Sequence, residues 1–355
     1  METVNEGLAK IKVQKPKIVS KEMKVFYNPV MSMNRDISVL LLNSINKINM
    51  QIADPLAASG VRSIRFLKEL RKNKIKNISI NDIDNNSIKS IKNNFTLNKI
   101  QYKNNKKISV TKEDINLFLL NSSGFDYIDI DPFGTPNPFL DSACKRLARD
   151  GILAVTATDT SALCGTYPDA CIRKYWAVPK KDYMMHEAGL RILIRKVQLI
   201  AAQYDKALTP VFSYSKEHYM RVFFRNDKGK NKADGILALH GMLNNAGPMW
   251  LGRLWDENLC NKMLNNTIKN RIFSKNKELI KFLKIIKEES KINSAGFYDL
   301  SNIAEKYKLK VLPRKEFIKE EIRKLKYKAS DTHFAGNGIR SDAPIRILIK
   351  ILRNQ

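Results

Sequence analysis

The sequence predicts an α/β protein built on a doubly wound, largely parallel sheet. Three observations carry this. Between Met50 and Asp159, five short apolar runs alternate with helical periods, the pattern of successive βαβ units. The first four runs end in acids at Asp54, Asp82, Asp114 and Asp131, and open α/β sheets bind ligands beyond the carboxyl ends of their strands. Two later apolar runs, "LTPVFSY" and "YMRVFFRN", lie close enough to pair as an antiparallel hairpin and bring the sheet to seven strands.

Taken in order, the chain opens with a basic, mixed tail that runs to about Lys24. In "VFYNPVMSMNRDISVLLLNSIN", Asn34 is placed to cap a helix whose Ile37, Leu40, Leu41 and Ile45 share one face. Strand "MQIADP" leads to helix "VRSIRFLKELRK", strand "NISIND" to helix "NNSIKSIKNNFTLN", and strand "ISVTKED" to the short turn "INLFLLN". Strand "FDYIDID" leads to helix "NPFLDSACKRLARD", and "GILAVTATD" is the fifth strand. A loop of special residues, "TSALCGTYPDACIRKYWAVP", precedes the long helix "HEAGLRILIRKVQLIAAQYDK". The polar, Gly- and Lys-bearing "NDKGKNKADG" reads as a linker and sets a boundary near residue 228, dividing the chain into 1–228 and a smaller α/β unit, 229–355. Helical patterns in that second unit fall at 275–290, 298–308 and 314–327.

The bulk numbers narrow the class. At 355 residues and 43% hydrophobic, the chain has material for two cores. It has no run of 18 or more apolar residues and no apolar core of a signal peptide near its start, so a cytoplasmic protein without a membrane span is expected. Sixty-three Lys and Arg against 35 Asp and Glu give a net charge of +28, which calls for a polyanionic partner such as nucleic acid. The cysteines, Cys144, Cys164, Cys171 and Cys260, form no C-x-x-C pair, so reduced thiols are expected rather than a metal site.

The strand ends suggest a nucleotide-like ligand. After Asp54 the turn holds a single glycine, Gly60. A pyrophosphate cradle needs G-x-G-x-x-G; one glycine suffices for close approach to a ligand without phosphates, such as S-adenosylmethionine. Asp82, ending the second strand, suits the ribose hydroxyls, while Asp84 suits a helix cap. Asp114 can accept from an adenine amino group, with Ile115 against the ring; an N-cap role for Asp114 is locally equivalent.

The fourth strand carries the reactive chemistry. Alternation places Tyr127, Asp129 and Asp131 on one face and Ile128 and Ile130 on the other. Acids clustered beside a core are costly without a task. Asp131-Pro132-Phe133-Gly134 resembles the D/N-P-P-Y/F signature of methyltransferases that act on exocyclic or amide nitrogens. An aryl amine is a poor nucleophile because its lone pair is delocalised. The Asp131 carboxylate and the Pro132 carbonyl can hold its hydrogens and localise that pair toward a sulfonium methyl. Phe133 can stack on an extruded base.

"DPFGTP" is more particular. With "VFYNPVMSMNRD", "ASGVRSIRF", "GILAVTATDTSALCG", "CIRKYWAVP", "HEAGLRILI", "GPMWLG" and "THFAGNGIRSDAP", it resembles the tRNA (guanine-26-N2)-dimethyltransferase family in its archaeal form, from about Phe26 to Pro344. The resemblance implies a Rossmann-like class I methyltransferase domain, S-adenosylmethionine as methyl donor and guanine-26 of tRNA as substrate, dimethylated in two steps. It implies cofactor contacts at Arg35, Arg62, Asp82, Asp114 and Ile115, the catalytic acid at Asp131, and Phe26 and Phe133 flanking the target base. Some family members carry a four-cysteine zinc site in the second domain; the stretch 226–248 has no cysteine here, so no zinc is expected. Arg173 and Lys174, interleaved with Tyr175 and Trp176, suit RNA phosphates and a splayed base; a packed aromatic core is the alternative. No obligate protein partner is evident. Rival readings are a methyltransferase on adenine N6 or a protein amide, and a basic RNA-binding protein without catalysis.

Overall fold

The computed structural model describes residues 2–13, 25, 27–309 and 311–353. The chain begins with a hairpin, β1 (Glu2–Glu6) and β2 (Ala9–Val13), not an unstructured tail. Its signal was the alternation "AKIKV", whose Ala9, Ile11 and Val13 are buried in the main core. A short 3-10 turn at Pro29–Met31, capped by Asn28, leads into α1 (Ser32–Ser44). Asn34 therefore lies inside α1 and not at its cap. Its amide is fully buried and engages Thr156 Oγ1 and Arg62 Nη2.

The βαβ alternation follows as the periodicity predicts: β3 (Met50–Asp54), α2 (Val61–Glu69), β4 (Ile75–Asn81), α3 (Asn85–Leu97), β5 (Ile108–Thr111), α4 (Ile115–Leu120), β6 (Phe125–Ile130), α5 (Leu140–Arg146) and β7 (Leu147–Ala157). One boundary differs. The helix expected through Asp150 stops at Arg146, and Leu147 already pairs with Phe125 before the register shifts to Tyr127 opposite Ile152. Two short helices, α6 (Thr160–Leu163) and α7 (Pro168–Tyr175), fill the predicted loop before α8 (Met185–Ala202). The hairpin β8 (Lys206–Lys216) and β9 (Tyr219–Lys228) completes the sheet.

The seven strands lie in the order β5-β4-β3-β6-β7-β9-β8. Strands β3 to β7 are mutually parallel, and β9 runs antiparallel to β7 and β8. The order reverses between β3 and β6, which makes the carboxyl ends of these two strands the switch point where a ligand crevice opens.

Beyond β9 the expected linker is a helix, α9 (Lys230–Leu237), followed by the hairpin β10 (His240–Leu243) and β11 (Ala246–Trp250). Helices α10 (Glu257–Lys269) and α11 (Lys277–Glu289) pack Leu259, Met263, Leu279, Leu283 and Ile286 into the same core as the large sheet. A second, smaller core starts at Leu300. It contains β12 (Tyr298–Asp299), α12 (Leu300–Tyr307), α13 (Lys315–Lys324), β13 (Ala329–Asp331), β14 (Gly338–Ser341) and α14 (Ile345–Arg353), with strand order β12-β14-β13. In this unit α12 and α13 precede the β13–β14 hairpin.

Arg340 joins the two cores. It is fully buried and donates to Glu187 Oε2 at 2.6 Å, Glu289 Oε1 at 3.0 Å and the Gly296 carbonyl at 2.8 Å. Glu187 also binds Arg191 on α8, and Glu289 holds His333 Nδ1 at 2.6 Å, a structural role for that histidine. Among the described residues, no helix is long and apolar enough to cross a membrane. Removing the guanidinium strands two buried carboxylates, so Arg340→Met lowers stability by about 3–5 kcal/mol. Lys232→Ala, which breaks the surface pair with Asp227, costs less than about 1 kcal/mol; urea unfolding of both variants distinguishes the two cases.

Candidate active site

The carboxyl ends of β3, β4, β5 and β6 bring the predicted acids to one edge of the sheet. Asp54 is 2% exposed, accepts from Ser63 Oγ at 2.6 Å and faces the Arg62 guanidinium. Burial pushes its carboxyl from 3.8 up to about 6, a rise that Arg62 and Ser63 only partly offset and that Asp129 and Asp131 reinforce. The turn after Asp54 closes at Gly60, whose φ of +76° is left-handed, and a Cβ there would meet Ile91 Cγ1 at 3.2 Å. Asp82 fixes this turn from the next strand, accepting from the Ala58 N–H at 2.8 Å and the Asp84 N–H at 3.0 Å. Burial raises the Asp82 carboxyl above its ordinary value, and the two backbone N–H groups oppose that.

Asp84 caps α3 through Ser87 N–H at 2.8 Å, the role its sequence position suggests. Asp114 is exposed and caps α4 through the Asn116 and Leu117 N–H groups, with Ile115 buried just beyond it. The cap and a ligand contact are compatible, because the carboxylate has lone pairs for both.

After β6, Pro132 is buried, Phe133 is 47% exposed, and Gly134 turns the chain with φ +81°. The turn is tied to β7 by Gly134 N–H to Thr158 Oγ1 at 2.6 Å and Thr158 N–H to the Gly134 carbonyl at 2.9 Å. The next residue, Thr135, shares a 3.0 Å hydroxyl–hydroxyl hydrogen bond with Tyr175 on α7, whose own proton goes to Asp159 at 2.6 Å. Tyr175 is therefore core. Lys174 lies 3.3 Å from Asp159 and Arg173 is exposed on the same helix, so α7 presents its basic residues beside the "DPFGTP" turn.

The centre of the site is an alternating ladder of charge. Arg62 Nη2 pairs with Asp131 Oδ2, and Arg62 Nη1 lies 3.1 Å from Asp129 Oδ2. Asp129 is gripped from the other side by both Nη atoms of Arg221, each at 2.8 Å, and by the Tyr127 hydroxyl at 2.6 Å. Arg221 Nη1 also donates to Thr156, its register partner across β7 and β9. Ser38 of α1 accepts from both guanidiniums. Burial opposes ionisation of Asp129, yet Arg221 and Arg62 hold its carboxyl below the ordinary range. Burial would lower Arg62, and the two acids lift it above its usual value.

Sequence reasoning missed Arg221. Its signal was an arginine inside the otherwise apolar "YMRVFFRN", an inward charge that a strand must compensate. Arg35 sits farther out in α1, paired bidentately with Glu6 at 2.6 Å and stacked 5.3 Å from the Tyr27 ring. Burial resists the charge on Glu6, but Arg35 and Arg65 pull its carboxyl down to about 2. Phe26 lies outside the described residues. The four cysteines are buried free thiols.

The donor set fits S-adenosylmethionine: acceptors for hydroxyl and amino hydrogens at Asp82 and Asp114, a close-approach turn at Gly60, and carboxylates facing a sulfonium charge at the switch point. Comparison with known proteins agrees. The sequence model described as N2,N2-dimethylguanosine tRNA methyltransferase matches residues 7–245 and 237–353. The tRNA (guanine(26)-N(2)/guanine(27)-N(2))-dimethyltransferase of Aquifex aeolicus is 39% identical over 99% of this chain and 95% of its own length. The tRNA (guanine(26)-N(2))-dimethyltransferase of Methanobrevibacter smithii is 36% identical over 99% of this chain and 97% of its own. The solved structure of Trm1 from Pyrococcus horikoshii with S-adenosyl-L-methionine superposes with a TM-score of 0.89 at 35% identity, covering 99% of both chains.

Two outcomes are expected. Asp54 has a raised folded pKa, so its proton stabilises the fold at low pH, and that contribution fades as pH climbs from about 4 through about 6. Asp54→Asn removes this slope, and its stability relative to the parent rises by up to about 3 kcal/mol between those limits, read from urea unfolding across pH. Arg221→Met leaves Asp129 with Arg62 as its guanidinium, drawing Arg62 away from Asp131. Methyl transfer falls by at least about tenfold while cofactor affinity changes less, measured by single-turnover kinetics and calorimetric titration.

Proposed function

This chain belongs to the N2,N2-dimethylguanosine tRNA methyltransferase family, and we propose that it transfers one and then a second methyl group to the exocyclic N2 of guanine-26 in tRNA. The observation that carries the reading is the end of β6: a carboxylate held by Arg62, a buried proline and a half-exposed phenylalanine on one turn tied to β7. S-adenosylmethionine supplies an electrophilic sulfonium methyl, whose C–S bond breaks to leave a neutral thioether. Asp131 Oδ1 and the Pro132 carbonyl accept the two amine hydrogens, turning the nitrogen lone pair out of conjugation. Arg62 on Oδ2 fixes the plane of the carboxylate. As the C–N bond forms, the amine proton passes to Asp131 and on to solvent. Phe133 stacks on the extruded guanine. For the second transfer the monomethylated amine keeps one hydrogen, so one acceptor suffices and the methyl turns into the space left by the other.

Asp82 holds the ribose hydroxyls, Asp114 and Ile115 receive the adenine, and Asp54 faces the sulfonium region beside Gly60. Arg35, oriented by Glu6, and Arg62 border the cofactor's amino-acid end. Arg173 and Lys174 contact RNA phosphates near the catalytic turn, and residues beyond 228 extend that contact. The reaction belongs to the cytoplasm, where tRNA and reduced thiols coexist.

Nucleoside mass spectrometry of tRNA transcripts incubated with labelled cofactor tests the reading. Dimethylguanosine should form on the parent transcript and disappear with guanine-26 replaced. Product surviving that replacement but lost when guanine-27 is changed would overturn the assigned position. Asp131→Ala should retain cofactor binding and lose methyl transfer by about 10²–10⁴-fold.

A further inference from the structure

Among the described residues, every buried cation but one faces a carboxylate or donates to backbone carbonyls. Arg35, Arg62, Arg65, Arg191, Arg221, Lys319 and Arg340 each face a carboxylate. Lys74 and Lys206 donate to backbone carbonyls, Lys206 to Lys145 and Leu147 at 3.0 and 2.8 Å. Lys196 on α8 is only 6% exposed, and among the described residues its ammonium has neither a carboxylate nor a hydrogen-bond acceptor. Its one partner is a ring face: Nζ lies 2.9 Å from the centroid of Trp176. A second cation, Arg195, stands next to it. Arg195 donates Nη1 to the Trp176 carbonyl at 3.1 Å, and its buried Nε has no partner.

Trp176 is unusual in its own right. It is 51% exposed and holds a left-handed φ of +56° at the end of α7, a conformation that bulky residues seldom adopt. It directly follows Lys174 and Tyr175, which tie α7 to the catalytic turn through the Lys174 carbonyl to Asn137 at 2.8 Å and Tyr175 to Thr135 at 3.0 Å. Burial, with Arg195 adding to it, lowers the Lys196 amine to about 8. A partly desolvated positive pair without an acid is costly by itself, and an anion arriving from solvent offsets that cost.

We propose that Trp176, Arg195 and Lys196 form a second nucleotide site, in which the cation pair binds a backbone phosphate of the substrate RNA and the open indole face stacks on an unpaired base next to the one undergoing reaction. This rests on the tRNA reading above. The geometry combines the elements that grip single strands: a positive anchor for phosphate and an aromatic platform for a base of any identity. Its place on α7 sets it beside Arg173 and Lys174, so one helix end guides the strand toward Phe133.

The test is binding of an unmodified tRNA transcript across a salt series, by the full-length protein and three variants. Arg195→Gln and Lys196→Met should each weaken binding about tenfold and flatten the salt dependence by about one unit of log–log slope. Trp176→Ala should weaken binding by about 5- to 100-fold with the slope retained. Lys196→Met should also raise the melting temperature, because it removes an uncompensated charge while keeping contact with the ring. Unchanged affinity and slope in both cation variants would overturn the site. A Lys196→Met protein that melts lower and binds RNA as the parent does would show a structural lysine and overturn it equally. Cofactor affinity checks that each variant is folded. The two readings separate cleanly: a parent protein that binds the transcript but forms no methylguanosine sinks the enzymatic reading alone, whereas methylation by the parent with slopes unaltered in the variants sinks this site alone.

Discussion

The site depends on one constraint: a carboxylate at the mouth of a crevice must be held rigid without being neutralised. The Arg221–Asp129–Arg62–Asp131 ladder meets it. Each inner member is shared between two opposite charges, so none can rotate without exposing a buried ion, and that penalty far exceeds thermal energy. The ladder also spans the architecture. Asp129 and Asp131 come from the end of β6, Arg62 from the first turn of α2, Arg221 from the antiparallel β9, and Ser38 of α1 closes it from above. The hairpin that completes the sheet thus has a chemical purpose, because it delivers the innermost arginine.

A charge count explains why a sulfonium suits this place. Asp54, Asp129 and Asp131 face two guanidiniums, leaving one acid in excess. Asp54 bears that excess, and its carboxyl is the one pushed up to about 6 by burial. A cationic ligand placed there would relieve that excess.

Much of this was legible in the sequence because periodicity and strand-end acids are local signals. The five βα alternations, the closing hairpin, the Asp84 cap and the facing of Tyr127, Asp129 and Asp131 all follow from spacing. The errors arose where tertiary demand overrode local preference. Asn34 looks like a cap, but Arg62 needs its carbonyl oxygen inside the helix. "NDKGKNKADG" looks like a linker, but its first three residues end β9 and the stretch from Lys230 opens α9, whose Ala233 and Ile236 are buried. The opening tail looks solvated because Lys10 and Lys12 flank its apolar residues, which is how an edge hairpin alternates. Arg221 escaped notice because its partner Asp129 is 92 residues away, a distance that no local pattern encodes.

Helix α8 shows how function can be separated from structure among buried charges. Near its start, Glu187 is saturated: Arg191, Arg340 and the Gly296 N–H all point at it, and the two cores are joined through it. Two turns further along, Arg195 is half-buried and Lys196 buried, and among the described residues neither has an acid. Among the described residues the other enclosed cations meet an acid or, for Lys74 and Lys206, backbone carbonyls, whereas opposite the Lys196 ammonium there is only the Trp176 ring. Leaving that charge open is rational only if something carrying negative charge arrives from solvent, and on a chain of net charge +28 acting on tRNA the abundant anion is phosphate.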